Sequence, residues 1–251
     1  MLKLKLLVAA LLALTTTAGY YPESFKAEVA NDLLQDENLR TELQRIISQN
    51  HKKNSYSQAK RYLFNELHLK YDESNQPYVK GVYCNKVFNG STPNIGPIGD
   101  GKIPNHQIVN CEHTWPQSKF TGGFSSQLQK GDLHHLFPTD SKANSVRSSN
   151  DFADLKGGKA ATRDCFASHS DGHYFEPPTE HKGNVARAMF YFATRYGAKI
   201  NSRMEKYLRR WHAEDPVDSD EIERNNKIEE IQGNRNPYID FPELVSDIKD
   251  F

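Results

Sequence analysis

The chain is short of cysteine, of excess charge and of long apolar runs, and each shortage removes a class of protein. Among 251 residues only Cys84, Cys111 and Cys165 are cysteines. None belongs to a C-x-x-C pair, which argues against a structural Cys/His zinc site. The spacing H-E-x-x-H is absent, so there is no zincin helix. Lys+Arg and Asp+Glu number 32 each, so overall charge does not announce nucleic acid. Beyond the N-terminus nothing approaches the ~20 apolar residues of a spanning helix. Internal repeats and low-complexity segments are also missing. What is present is a globular composition, 37% apolar with 12 Tyr and 13 Phe, which excludes a disordered chain.

The first 18 residues stand apart. Lys3 and Lys5 precede an apolar stretch from Leu6 to Leu14, followed by Thr15, Thr16, Thr17 and Ala18. This is the layout of a secretory signal peptide with cleavage near Ala18, leaving residues 19–251 as one domain outside the cytoplasm. Losing Lys3 and Lys5 turns a balance of 32 against 32 into a net charge of −2. An oxidising compartment permits one disulfide, with three pairings open. The basic run from Arg187 to Arg210 reads, by itself, as a solvated helical face.

Apolar residues recur at helical spacing over residues 24–49 and again over 55–71, predicting two opening helices. "YVKGVYCNKVF" (78–88) is rich in strand formers and is followed by a loop dense in Gly, Pro and Asn (91–106). "HQIVNCEH" (106–113) and "GDLHHLFP" (131–138) read as short strands, the second alternating Asp132, His134 and Leu136 against Leu133, His135 and Phe137. After Pro138 a short helix is expected, with Thr139 or Asp140 as its cap. Three further helices follow, over 180–197, 202–214 and 220–232.

Within that frame "NCEHTWP" (110–116) sets a carboxylate and an imidazole side by side. Neighbours in a regular strand face opposite ways, but Pro116 should end or bend the strand and let Glu112 and His113 converge. The tandem His134 and His135 supply further imidazoles, which in a strand are often structural. Asn144 lies mid-helix, where Asn has poor propensity, one turn before Arg147. A carboxylate and an amide oxygen are hard ligands of the kind that suit Mg²⁺.

The segments "CEHTWPQS", "GDLHHLFPTDSKANSVRSSN", "FEPP", "KGNVARAMFYF" and "IQGNRNP", in that order, resemble the endonuclease I family of secreted and periplasmic bacterial nucleases, within the ββα-metal (His-Me finger) superfamily. The resemblance implies an α+β fold, a mostly helical single domain around a central ββα-metal motif. It implies that His113 is the general base, that Glu112 and Asn144 hold one Mg²⁺ (Mn²⁺ or Ca²⁺ being alternatives), and that Arg147 and Arg187 contact substrate phosphate. Asp132 or the backbone of its strand is expected to orient His113, with His134 behind it. The implied activity is sequence-non-specific hydrolysis of DNA and RNA to 5′-phosphates by a monomer.

Two departures from the family pattern stand out. The segment "QSKFTGGFSSQLQK" is short and lacks the arginine that the family carries for the scissile phosphate, leaving Lys119, Lys130 or Arg147 to replace it. No cysteine follows Cys165. The shortened segment is also the main support for the alternative, a secreted nucleic-acid-binding protein of the same fold with weakened or lost catalysis.

Overall fold

A two-stranded antiparallel ribbon and the short helix that follows it form the centre of the computed structural model, which describes residues 19–251. The expected signal peptide, residues 1–18, lies outside the described residues. The chain enters through α1 (Glu23–Ala30), α2 (Asp36–Gln49) and α3 (Tyr56–Tyr62). A three-stranded meander follows, β1 (Leu69–Tyr71), β2 (Pro77–Lys80) and β3 (Val87–Asn89). The ribbon is β4 (Val109–His113) and β5 (Leu136–Asp140), with the helix α4 (Ser126–Lys130) between them and α5 (Ser141–Arg147) directly after. A second sheet of β6 (Asp151–Phe152), β7 (Lys159–Thr162), β8 (Cys165–Ser170) and β9 (Tyr174–Glu176) has the order β6-β9-β8-β7. The chain closes with α6 (Lys182–Tyr196), α7 (Ser202–Glu214), α8 (Ser219–Gln232) and the short α9 (Pro237–Asp240).

Helix α6 is the hub of the larger apolar cluster. Almost every residue from Val185 to Tyr196 is buried, against α2, the ribbon and the last helices. Burial of that kind, at roughly 25 cal/mol per Å² of apolar surface, is the main favourable term in such a fold. A second cluster joins Ala59, Leu63 and Phe64 of the α3 region to Val109, Cys111, Leu133 and Leu136. The ribbon therefore sits between two cores, which fixes it from both sides.

The structure differs from the sequence reading where local patterns ran on too long. The expected helix over 24–49 is broken because Asp32 takes a left-handed φ of 54° and Leu33, though apolar and in phase, stays 70% exposed. The second helix ends in a π-turn at Leu63–Leu67 and becomes β1 from Leu69. The expected strand at 78–88 is two strands around a turn, with Asn85 at φ 53°. "DLHHL" is not an alternating strand. Asp132 caps a 3-10 turn, Leu133–His135, by accepting from the His134 backbone N–H, and only then does β5 begin. Asp140, one of the two expected caps, caps α5 through the Lys142 and Ala143 N–H groups. The last three long helices fall where expected, α6 and α8 closing on left-handed Gly197 and Gly233.

Cys84 and Cys165 form the disulfide, and Cys111 stays reduced and buried. The bond links the turn after β2 to β8 across 81 residues. Replacing both by serine should lower stability by about 2 to 4 kcal/mol, since a cross-link over a long loop mainly restricts the unfolded chain. Urea unfolding of wild type and the double variant checks this, and an unchanged midpoint would refute it.

Candidate functional site

Strand β4 pairs with β5 through Glu112 opposite Phe137 and His113 opposite Leu136, and the ladder continues as Thr114 N–H donates to the His135 carbonyl. The strand therefore does not bend at the pair, contrary to the expectation built on Pro116. Alternation holds instead: Asn110 and Glu112 face α5, while Cys111 and His113 face the α3 side. Both members of the pair nevertheless border one open groove along the ribbon, together with Gln117, Ser118, Asn144 and Ser148.

His113 is 6% exposed. Its Nε2 lies 3.2 Å from the Lys130 carbonyl, which can only accept, so Nε2 carries the hydrogen and Nδ1 holds the lone pair. Gln117 Nε2 lies 3.3 Å from that Nδ1. Burial, reinforced by neighbouring His135, holds the imidazole well below its ordinary range, so it is neutral at pH 7. The packing is aromatic, with Tyr56 and His135 each 5.4 Å from the ring.

Glu112 is enclosed on the other face. Tyr83 Oη donates to its Oε1 at 2.7 Å, and Arg147 Nη1 lies 2.9 Å from the same oxygen. Burial pushes its carboxyl above the ordinary range, while the guanidinium and the tyrosine hydroxyl pull it back. Asn144 donates Nδ2 to Asn110 Oδ1 at 2.8 Å, and Asn110 in turn donates to Ser141 Oγ. That chain fixes the Asn144 amide with its nitrogen engaged, leaving Oδ1 as the atom available to a ligand.

Two arginines are not where substrate contact would require them. Arg147 is 2% exposed and serves Glu112 together with the carbonyls of His113 (2.9 Å) and Thr114 (2.6 Å). It positions the carboxylate rather than meeting phosphate. Arg187 is 1% exposed and doubly bonded to Glu221, with a further bond to the Asp215 carbonyl. It supports the core, because a buried guanidinium is retained only when its donors are satisfied. The basic run is likewise no solvated face throughout: Arg195 is also buried, and Arg209 and Arg210 pair with Glu205 and Asp154.

Asp132 and His134 also need correction. Asp132 makes no contact with His113. It accepts from Tyr191, Tyr196 and Gln232; burial pushes its carboxyl up, and the surrounding imidazoles and the Tyr196 hydroxyl outweigh that. His134 bonds the Asn234 carbonyl and leans on Tyr191, so it is structural. The histidine against His113 is His135, and the carbonyl on its Nε2 belongs to Lys130.

This geometry was compared with known proteins. Residues 35–243 match the family model described as Endonuclease I. The chain belongs to the endonuclease I family. Relatives include an extracellular ribonuclease of Bacillus amyloliquefaciens, 35% identical over 84% of this chain and 73% of its own length. An extracellular ribonuclease of Bacillus subtilis is 33% identical over 95% of this chain and 83% of its own. A periplasmic deoxyribonuclease of Aeromonas hydrophila is 31% identical over 62% and 76%. The chain is thus a nuclease of the periplasmic or extracellular kind, and among the described residues no helix is long and apolar enough to cross a membrane.

Sequence reasoning missed Tyr83, Gln117, Asn110 and Tyr56. Asn110 was within reach, since strand alternation puts it on the face of Glu112. The other three carry no local signal.

Arg147→Met should cost about 3 to 5 kcal/mol, because it strands the buried Glu112 charge. Chemical denaturation measures this, and a loss below about 1 kcal/mol would place the pair among weak surface bridges. Acid should also destabilise the fold. His134 and His181 are pushed down to about 3 and His135 to about 4 by burial, whereas the unfolded chain protonates near 6.5. Their contribution is present in full above pH 6.5 and is lost as pH falls toward the folded values. Between pH 6.5 and 5 each should cost about 2 kcal/mol, seen as a falling urea midpoint. A midpoint flat over that range would contradict it.

Proposed function

We propose that the chain is a sequence-non-specific, Mg²⁺-dependent endonuclease that hydrolyses DNA and RNA to 5′-phosphate products, with His113 as general base. The observation that carries this reading is the neutral His113, its Nε2–H fixed on the Lys130 carbonyl and its Nδ1 lone pair beside Gln117, bordering one groove with Glu112 and Asn144. The family and its relatives, named as ribonucleases and deoxyribonucleases, support both substrates.

The donor set fits a hard divalent ion. Among the described residues no group of three or more His, Cys, Asp or Glu could hold a metal. A site here consists of the Glu112 carboxylate and the Asn144 amide oxygen, with other positions left to water and phosphate, the usual arrangement for Mg²⁺. Bound there, Mg²⁺ supplies Lewis-acid charge to the phosphate and its leaving oxygen. Arg147 and Tyr83 hold the carboxylate, and Asn110 holds the amide.

His113 Nδ1 takes a proton from water entering beside Gln117. The oxygen so activated bonds to phosphorus, and the bond from phosphorus to the 3′ oxygen breaks. The phosphate stays on the 5′ side, and the departing 3′ oxygen regains a proton from solvent. General-base help of this kind contributes typically ~10² to 10⁴-fold. The signal peptide and the monomeric state complete the proposal: a secreted enzyme acting alone on nucleic acid outside the cytoplasm.

His113→Ala should lower plasmid nicking and RNA cleavage by about 10² to 10⁴-fold while circular dichroism stays native. EDTA should abolish wild-type cleavage and added Mg²⁺ restore it. A folded His113→Ala protein cutting at the wild-type rate would sink the base assignment, and EDTA-resistant cleavage would sink the metal.

A further inference from the structure

With Arg147 and Arg187 buried in internal bonds and Lys119 paired to Asp151 at 2.6 Å, the positive charge for a substrate must come from elsewhere. Lys60 and Lys130 both place their ammonium groups over the Tyr56 ring, 4.7 and 4.5 Å from its centroid. That same ring lies 5.4 Å from the His113 ring. Neither lysine pairs with a carboxylate among the described residues, whereas Lys70, Lys86, Lys119, Lys182 and Lys227 all do. Two like charges gathered on one ring repel each other. The ring's negative face offsets part of that, and an anion lying between them would remove the rest.

The arrangement is built by the fold. Tyr56 opens α3 and Lys60 stands one turn on, sharing its face, and a Ser55–Gln58 capping box fixes that helix end. Lys130 closes α4. Gly131 brings the two segments together, since a Cβ there would collide with the Asn54 carbonyl. The Tyr56 hydroxyl is anchored on the buried Cys111 thiol, which holds the ring at the edge of β4.

We infer that Lys60 and Lys130, held on Tyr56, bind a phosphodiester of the nucleic-acid strand beside the one that His113 attacks, with Tyr56 as their positioning residue. This rests on the nuclease reading above. The contact comes from α3, outside the ββα unit, and supplies the cation that the segment between Gln117 and Lys130 lacks as arginine.

The test uses the intact protein in EDTA with a fluorescein-labelled DNA strand of about 20 nucleotides, titrated across salt concentration. For a single strand the slope of log affinity against log salt falls by about 0.7 for each phosphate contact removed. Lys60→Gln and Lys130→Gln should each weaken binding several-fold and flatten the slope by about that amount, and the double variant by about twice as much. In Mg²⁺ the variants should raise KM more than they lower kcat. Lys60→Arg and Lys130→Arg should restore both, and Lys227→Gln should change neither. Glutamine variants that bind with wild-type affinity and slope, while wild type still nicks plasmid, would overturn the inference and leave the nuclease reading standing. Wild type that neither binds nor cuts would overturn both.

Discussion

The ribbon and the helix after it act as one unit because a single guanidinium fastens them. Arg147, at the end of α5, reaches back across the ribbon to the Glu112 carboxylate and to the carbonyls of His113 and Thr114. Removing that charge would leave a carboxylate buried without a counter-ion, a costly state in a low-dielectric interior. The bond to the His113 carbonyl means that the residue steadying the carboxylate also steadies the backbone of its imidazole neighbour. The Phe152 ring lies 4.5 Å from the same guanidinium, and so carries the second sheet into the arrangement.

The two faces of the ribbon do different work. Toward α5 the contacts are polar, with Tyr83, Arg147 and Asn110 setting a carboxylate and an amide oxygen at the groove. On the opposite face His113 sits among Tyr56, Phe120 and His135, where burial keeps it uncharged. A solvated imidazole would be partly protonated near neutrality; here apolar surroundings hold it in the basic form while one carbonyl fixes its tautomer. The groove along the ribbon is where these two environments meet, so adjacent residues can act together without any distortion of the strand.

Much of this was legible in the chain. Helices α6, α7 and α8 followed from periodic apolar residues ended by glycine, signals local enough to survive folding. The helix after Pro138 followed from its cap. Residues 24–49 and "DLHHLFP" misled for a shared reason: period counts which positions are apolar, and cannot see that Leu33 reaches no partner or that Asp132 prefers to cap a turn. The four-stranded sheet over 151–176 was not read at all, its strands being short and partly polar.

The sequence by itself determined the chemical types at the site, an acid beside an imidazole and an amide further on, because residue identity and order are covalent facts. It also determined the shortage of arginine between the two ribbon strands. Only the tertiary structure decided which cations remain for a substrate. Arg147 and Arg187 look alike as text to any exposed arginine, yet burial obliges each to satisfy its donors internally. Lys60 and Lys130 lie far apart along the chain, and meet on Tyr56 because Gly131 lets two backbone segments touch. Charge becomes functional or structural according to its partners, and partners distant in sequence are set by packing.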